Sequence, residues 1–145
     1  MQNFLVYFGA ALIPMLVGAV WYHPKVFGNT WMKLVGLTDK KISQANMPLT
    51  MGLSFLMSLI ITLPMSFFAN HPAAPYGGDA SYDTFQHGVL HGVLMAILVG
   101  LPLIGTKALF ELRGWKYVLI NLSYWVVAFG LMGGILDYFL PTFGM

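Results

Sequence analysis

Three ionisable residues in long apolar segments are the best candidates for chemistry in this chain: His87, His91 and Asp137. The two histidines are four residues apart, so their side chains project from one face of a helix. Asp137 lies near the end of a different apolar segment, at a similar depth in the predicted bilayer. An unpaired ionisable group is energetically expensive within a membrane segment, so this cluster is the candidate proton, ion or metal site.

The residue types of this cluster are compatible with three roles. Histidine titrates near physiological pH and can relay a proton beside a carboxylate, which suits proton or cation transport. Two histidines at this spacing can also hold a metal ion, although the glutamate and third ligand of a zinc hydrolase motif are missing. In the third role, the histidines bond Asp137, a tyrosine hydroxyl or a backbone carbonyl and only fix helix packing. His71, Asp79 and Asp83 are predicted to flank the same side of the membrane.

No catalytic residue and no cofactor are predicted. A serine nucleophile motif, a phosphate-binding glycine loop and a pair of catalytic carboxylates are each missing from any usable context. The chain has no cysteine, which excludes a disulfide framework, a thiolate nucleophile and a Cys-based metal site. Its net charge of +2 is confined to connecting segments, so nucleic acid is not a predicted partner.

Four long apolar segments must position the candidate residues. They cover about residues 3–23, 49–70, 85–107 and 116–139, and each approaches the roughly 20 apolar residues that cross a bilayer. Only 8% of the residues are charged, against roughly 25% in a soluble domain, and the mean hydropathy is +0.74. We therefore predict an all-α, integral membrane four-helix bundle that forms a single domain over residues 1–145.

The basic residues indicate how this bundle is oriented. All of them fall after the first segment or between the third and the fourth: Lys25, Lys33, Lys40, Lys41, Lys107, Arg113 and Lys116. Short connections rich in lysine and arginine stay in the cytoplasm, so both termini are expected outside. Between spans one and two we predict short amphipathic cytoplasmic helices, the second of them capped by Thr38.

Small residues recur at intervals of four along the third segment. The predicted packing positions are Gly88, Gly92, Ala96 and Gly100, with a shorter repeat at Gly130 and Gly134 in the fourth segment. Small residues let two helix backbones approach closely where lipid removes the hydrophobic driving force. The repeat predicts that the third helix packs against the fourth or the first, and homodimerisation through the same strip is the alternative.

Short motifs along the whole chain carry a family resemblance. They are Trp21-Tyr22-His23-Pro24, Phe27-Gly28, Trp31-Met32-Lys33, Gly36-Leu37-Thr38, Leu90-His91-Gly92, Ile120-Asn121, Tyr124-Trp125 and Met132-Gly133. Together they resemble a bacterial membrane family known as domain of unknown function 1761. The resemblance implies four spans in the bacterial cytoplasmic (inner) membrane and no particular activity. His91 and Asn121 are the matching polar positions, whereas His23 departs from the small polar residue that the pattern leads one to expect.

The chain uses its residues for membrane spans and small-residue faces and keeps few for chemistry. We therefore predict a non-enzymatic, small multispanning membrane protein, a packing or accessory component that acts through lateral helix contacts. Its predicted partners are the lipid bilayer and either further copies or another membrane protein. The alternative is a small oligomeric proton- or cation-linked transporter or channel that uses the His/Asp cluster. A metal-dependent membrane enzyme is a third hypothesis.

Overall fold

The computed structural model describes residues 2–69 and 84–140, which fold into helices joined by short turns. In chain order these are α1 (Gln2–Trp21), a π-helical turn (Pro24–Gly28), α2 (Asn29–Val35), α3 (Asp39–Ser43), α4 (Met47–Ala69), α5 (Phe85–Met95), a second π-helical turn (Ala96–Gly100), α6 (Leu101–Phe110) and α7 (Trp115–Phe139). Within these two ranges no residue is in a strand. The prediction of an all-α fold is confirmed.

Over residues 2–69 and 84–140, four helical segments are long and apolar enough to cross a membrane. They are Phe4–Trp21, Met47–Phe67, Phe85–Phe110 and Trp115–Phe139. The third of these combines α5, the second π-helical turn and α6, and we refer to it as the third span. It extends to Phe110, three residues beyond the predicted end, because Lys107 remains within the helix and its long side chain can reach towards the headgroups. The prediction of a four-span membrane protein is confirmed.

The central helix of the bundle is α7, which packs against α5 on one side and α1 on another, while α4 packs against α1. In an apolar stretch of 18 residues within α7, 44% of the residues are buried, against 17–22% in the corresponding stretches of the other three spans. A cluster of buried apolar side chains lies where these helices meet: Ala10, Ile13, Met65, Met132, Leu136 and Leu140. The outward faces of the spans carry exposed leucine, isoleucine, valine and phenylalanine, which is the surface expected against lipid chains.

A proline accompanies the one interruption of the third span. Pro102 has no N–H to donate to the carbonyl of Leu98, and the π-helical turn Ala96–Gly100 lies immediately before it. Pro14 and Pro64 lie inside α1 and α4, and each of those helices continues as one unit. The third span therefore changes its helical register halfway along its length.

The two ends of the bundle differ in charge. One end contains all seven lysine and arginine residues, and we call it the basic end. These residues lie in the first π-helical turn, in α2 and α3, at the end of α6, in the connection to α7 and at the start of α7. Thr38 caps α3, as predicted, by accepting a hydrogen bond from the Lys41 amide at 3.4 Å. The guanidinium of Arg113 donates to the carbonyl of Leu34, which ties α2 to the start of α7. The opposite end, which contains His87, His91 and Asp137, is the histidine end.

Candidate functional site

His87 on α5 and Asp137 on α7 form an ion pair at the histidine end. His87 Nδ1 lies 2.9 Å from Asp137 Oδ2. The Asp137 side chain is fully buried, whereas 23% of the His87 side chain is exposed. The histidine therefore links an enclosed carboxyl group to the surface of the bundle, and the pair can hold or exchange a proton.

His91 lies beside this pair on the same face of α5. Its ring is 4.3 Å from the His87 ring, centroid to centroid, and the two rings meet edge to face at 79°. His91 also lines an open apolar groove of about 220 Å³ together with Leu94, Met95, Leu98 and Val99. The structure thus brings the three sequence-predicted residues together.

Glycines determine how closely α5 and α7 approach at this site. A Cβ atom at Gly88 would overlap the Gly133 carbonyl and the Asp137 Cβ, and one at Gly92 would overlap the Phe129 carbonyl. The backbones are therefore in direct contact, and this contact places Asp137 beneath His87. In an apolar environment such close approach is the main source of helix association.

The remaining small residues differ in their surroundings. Ala96 is fully buried, Gly130 has ordinary contacts with Val93, and Gly134 lies against the ring of Phe85. The space in front of Gly100 is open, with no atom within 4 Å of a Cβ built there. Gly133 is a packing residue that the sequence analysis missed, because only the four-residue repeat through Gly130 and Gly134 was used as a signal.

Metal binding is one of the three roles predicted for this cluster. Across residues 2–69 and 84–140, no group of three or more His, Cys, Asp or Glu side chains is placed to hold a metal ion. His71, Asp79 and Asp83, which the sequence predicts on this side, lie outside the described residues. The chemistry available at the described site is that of two imidazoles and one buried carboxyl group, which can accept, donate and store protons.

A second cluster, which the sequence analysis did not predict as a unit, lies towards the basic end. Tyr22 donates a hydrogen bond of 3.0 Å to the side-chain oxygen of Asn121, and Trp21 donates to the Ile120 carbonyl at 3.2 Å. The Tyr22 ring lies 5.0 Å from that of Trp31 and 5.3 Å from that of Tyr124. We call Trp21, Tyr22, Trp31, Asn121 and Tyr124 the aromatic cluster. All its members belong to the motifs that carry the family resemblance. Those motifs are the feature of the sequence that could have identified the cluster.

Tyr22 lies just beyond the first span and keeps its proton in this cluster. Burial raises the pKa of its phenol well above the usual value of 10.0, and the neighbouring Tyr124 and Tyr117 raise it further. The Tyr22 hydroxyl is therefore a hydrogen-bond donor at any physiological pH. Its bond to Asn121 joins the end of α1 to α7, so the aromatic cluster connects the first span to the fourth.

The aromatic cluster also contacts the backbone of α1 at its proline. Tyr124 on α7 donates a hydrogen bond of 2.9 Å to the carbonyl of Pro14. A Cβ built at Gly18 would lie 3.6 Å from the Tyr124 ring, which is an ordinary contact distance. The bond to Pro14 therefore joins α1 to α7 a second time.

Apolar side chains fill the bundle between the two clusters. Ala10, Met132 and Leu136 are fully buried there. The buried hydroxyl groups of α4 bond to carbonyls of their own helix: Ser58 to Ser54 at 3.0 Å, Thr62 to Leu59 at 2.6 Å and Ser66 to Leu63 at 2.7 Å. The described interior is therefore mainly apolar, and its buried hydroxyl groups bond to carbonyls of their own helix.

Comparison with known proteins identifies the family. A family model described as a protein of unknown function, DUF1761, matches residues 5–137, which is nearly the whole chain. No curated protein and no solved structure matches the sequence. The match spans both clusters and confirms the resemblance carried by the motifs around Trp21 and Asn121. The chain therefore belongs to the DUF1761 family.

Proposed function

We propose that this protein is a non-enzymatic component of the bacterial cytoplasmic membrane that acts through lateral contacts between its helices and a partner. We place its basic end in the cytoplasm and both termini outside, since short connections rich in lysine and arginine stay cytoplasmic. The observation that carries the proposal is the mainly apolar interior of the bundle over the described residues. Met132 and Leu136, both fully buried, lie between the histidine end and the aromatic cluster.

A transport function needs a polar or hydrated path, because charged species are costly to move through hydrocarbon. In this bundle the buried hydroxyl groups bond within α4, and the aromatic cluster bonds across helices. These polar side chains thus bond to their own helix or to a neighbouring helix of the same chain. This use of polar groups supports a packing protein whose interactions take place on its outer surface.

The third span offers a specific surface for a partner helix. Gly100 and Gly105 face open space, with no atom within 4 Å of a Cβ built at either position. Gly88 and Gly92 are already filled by α7, so they are not available for a contact between copies. Glycines let a second membrane helix approach closely. We therefore place the lateral contact on the third span, at Gly100.

Cysteine cross-linking in native membranes tests this surface. The chain has no cysteine of its own, so a single cysteine in place of Gly100 reports only that position. We expect Gly100→Cys to give a covalent adduct of higher mass under mild oxidation or with a short bifunctional reagent. Gly52→Cys on α4 is the matched control, because that glycine also faces open space. Failure of the Gly100 variant to form an adduct, or an adduct at position 52 alone, contradicts the proposed surface.

Proton- or cation-linked transport is the second candidate, and the His87–Asp137 pair favours it. Its bond of 2.9 Å joins a buried carboxyl group to a partly exposed imidazole. Reconstituted liposomes containing a pH-sensitive dye separate the two functions. The packing function predicts no pH-driven flux above that of empty liposomes. A flux that disappears in the His87→Ala, His91→Ala double variant while assembly stays intact would overturn it.

A further inference from the structure

The connection between α6 and α7 exposes large apolar side chains. We call residues 107–117 the hairpin. The exposed fractions are 77% for Leu109, 87% for Phe110, 93% for Leu112 and 68% for Trp115. Such side chains are normal on a helix that faces lipid tails, but these four lie at the end of the bundle. Their position relative to the hydrocarbon therefore determines what can cover them.

The length of the third span places these side chains outside the hydrocarbon. Phe85–Phe110 contains 26 residues. At about 1.5 Å per residue the helix is about 39 Å long, or about 37 Å along the membrane normal at an average tilt of about 20°. The hydrocarbon is about 30 Å thick, so about 3 to 4 Å of helix extends beyond it at each end. Leu109, Phe110, Leu112 and Trp115 therefore lie in the headgroup layer.

Basic side chains surround the apolar ones. Lys107 and Arg113 both approach Glu111, at 3.8 Å and 3.2 Å respectively. Lys116 is exposed and has no ion-pair partner among the residues that the structure describes. The basic end as a whole carries seven basic residues and two carboxylates, Asp39 and Glu111. The hairpin thus combines apolar side chains with an excess of positive charge.

The backbone of the hairpin favours exposure of a leucine. Leu112 has φ of 53°, a left-handed conformation that non-glycine residues rarely adopt. The Arg113 amide donates to the Ala108 carbonyl at 2.8 Å and the Leu112 amide donates to the Leu109 carbonyl at 3.2 Å. These two bonds form the same helix-ending motif in which Gly36, with φ of 69°, ends α2. A leucine at a glycine position therefore accepts backbone strain and extends its side chain from the tip.

We propose that the hairpin binds the headgroup of an anionic phospholipid in the cytoplasmic leaflet. Leu112, Phe110 and Trp115 enter the boundary between headgroups and acyl chains, while Lys116 contacts the phosphate. The proposal rests on the proposed function for the orientation of the basic end. Lipid is the occupant because the hairpin combines exposed apolar side chains at the level of the headgroups with an excess of positive charge, which complements an anionic headgroup.

The experiment measures thermal unfolding of the purified full-length protein in detergent micelles. Phosphatidylglycerol, which is anionic, is titrated against phosphatidylcholine, which is zwitterionic. We expect phosphatidylglycerol to raise the Tm at lower lipid concentrations and by a larger amount. In Lys116→Gln, the apparent affinity for phosphatidylglycerol should fall about fivefold. Lys40→Gln, on α3, is the matched control and should change it less than twofold.

A second variant tests the apolar part of the hairpin. Leu112→Gly relieves the backbone strain, so in plain detergent its Tm should equal or exceed that of the wild type. Its Tm increase with phosphatidylglycerol should nevertheless fall to half or less. The proposal is overturned if Leu112→Gly keeps the full Tm increase with phosphatidylglycerol, or if the wild type shows no preference for phosphatidylglycerol. It is also overturned if Lys116→Gln and Lys40→Gln lose the same amount of affinity for this lipid. Tight co-purification of a protein over the hairpin, with no lipid preference, points to a protein partner instead.

The failures of the two proposals can be distinguished. The preference for phosphatidylglycerol in micelles does not depend on orientation. External labelling of a Lys40→Cys variant in intact cells would contradict the cytoplasmic placement while leaving that preference unchanged. Loss of the lipid preference with normal cross-linking at position 100 would contradict only the hairpin proposal.

Discussion

At the scale of single residues, the His87–Asp137 bond is the feature with the largest expected effect. A fully buried carboxyl group in a membrane span needs a partner, and Asp137 has one at 2.9 Å. The sequence predicted that these residues lie at the same depth, because depth follows from position within an apolar segment. It gave this bond only as one of several alternatives, since the partner of each histidine depends on the rotation of α5 relative to α7.

Loss of His87 should be costly because it leaves the buried carboxyl group without its histidine. We expect His87→Ala to lower the free energy of unfolding by about 3 kcal/mol. The His87→Ala, Asp137→Ala double variant should lose less than the sum of the single variants, because the two residues act as a pair. Chemical denaturation in detergent measures all three variants. Additive losses would show that the bond does not contribute to stability.

Tyr22 gives a second prediction at this scale, concerning alkaline pH. Its pKa is raised above 10.0 in the folded state, mainly by burial. Its contribution to stability is therefore fully present below about pH 10 and is lost as the pH rises through the folded-state pKa. Tyr22→Phe should be less stable near neutral pH, by about 1 kcal/mol, because the bond to Asn121 is lost. Above pH 10 its Tm should decline less steeply than that of the wild type.

Tyr138→Phe is the control for the alkaline series, because 61% of that residue is exposed. Thermal unfolding between pH 7 and pH 12 measures the three proteins side by side. Equal slopes for wild type and Tyr22→Phe above pH 10 would contradict the link between Tyr22 burial and stability.

At the scale of elements, the contact between α5 and α7 explains how the histidine end is built. The four-residue repeat predicted a strip of small residues down the third span. The structure uses Gly88, Gly92 and Ala96 in contacts within the chain but leaves Gly100 open. The π-helical turn Ala96–Gly100 shifts the register, so a repeat of four no longer follows one face. Local spacing cannot predict such a shift.

The glycines of the strip should therefore respond differently to alanine. Gly92→Ala places a methyl group against the Phe129 carbonyl, so we expect the free energy of unfolding to fall by about 2 kcal/mol. Gly100→Ala adds a methyl group in open space and removes a flexible residue from a helix, so it should be neutral or stabilising by up to about 1 kcal/mol. Equal losses in both variants would contradict the packing described for α5 and α7.

At the scale of the whole molecule, the number of spans was the most predictable property. Whether a segment can span the membrane depends on its own length and apolar composition. The four predicted segments correspond to the four found. The aromatic cluster was harder to predict because Tyr22 and Asn121 are 99 residues apart. Which outer face meets a partner depends on molecules beyond this chain, so neither spacing nor hydropathy determines it.

The most direct test of the account is the mass of the protein after gentle extraction in a native lipid nanodisc. One chain has a mass of 16.0 kDa. A protein that acts through lateral contacts should appear in a defined complex, either a multiple of 16.0 kDa or one chain with another membrane protein. Gly100→Leu should weaken that complex without lowering the Tm of the isolated chain. A species of 16.0 kDa alone, together with a pH-driven flux in liposomes, would contradict the account.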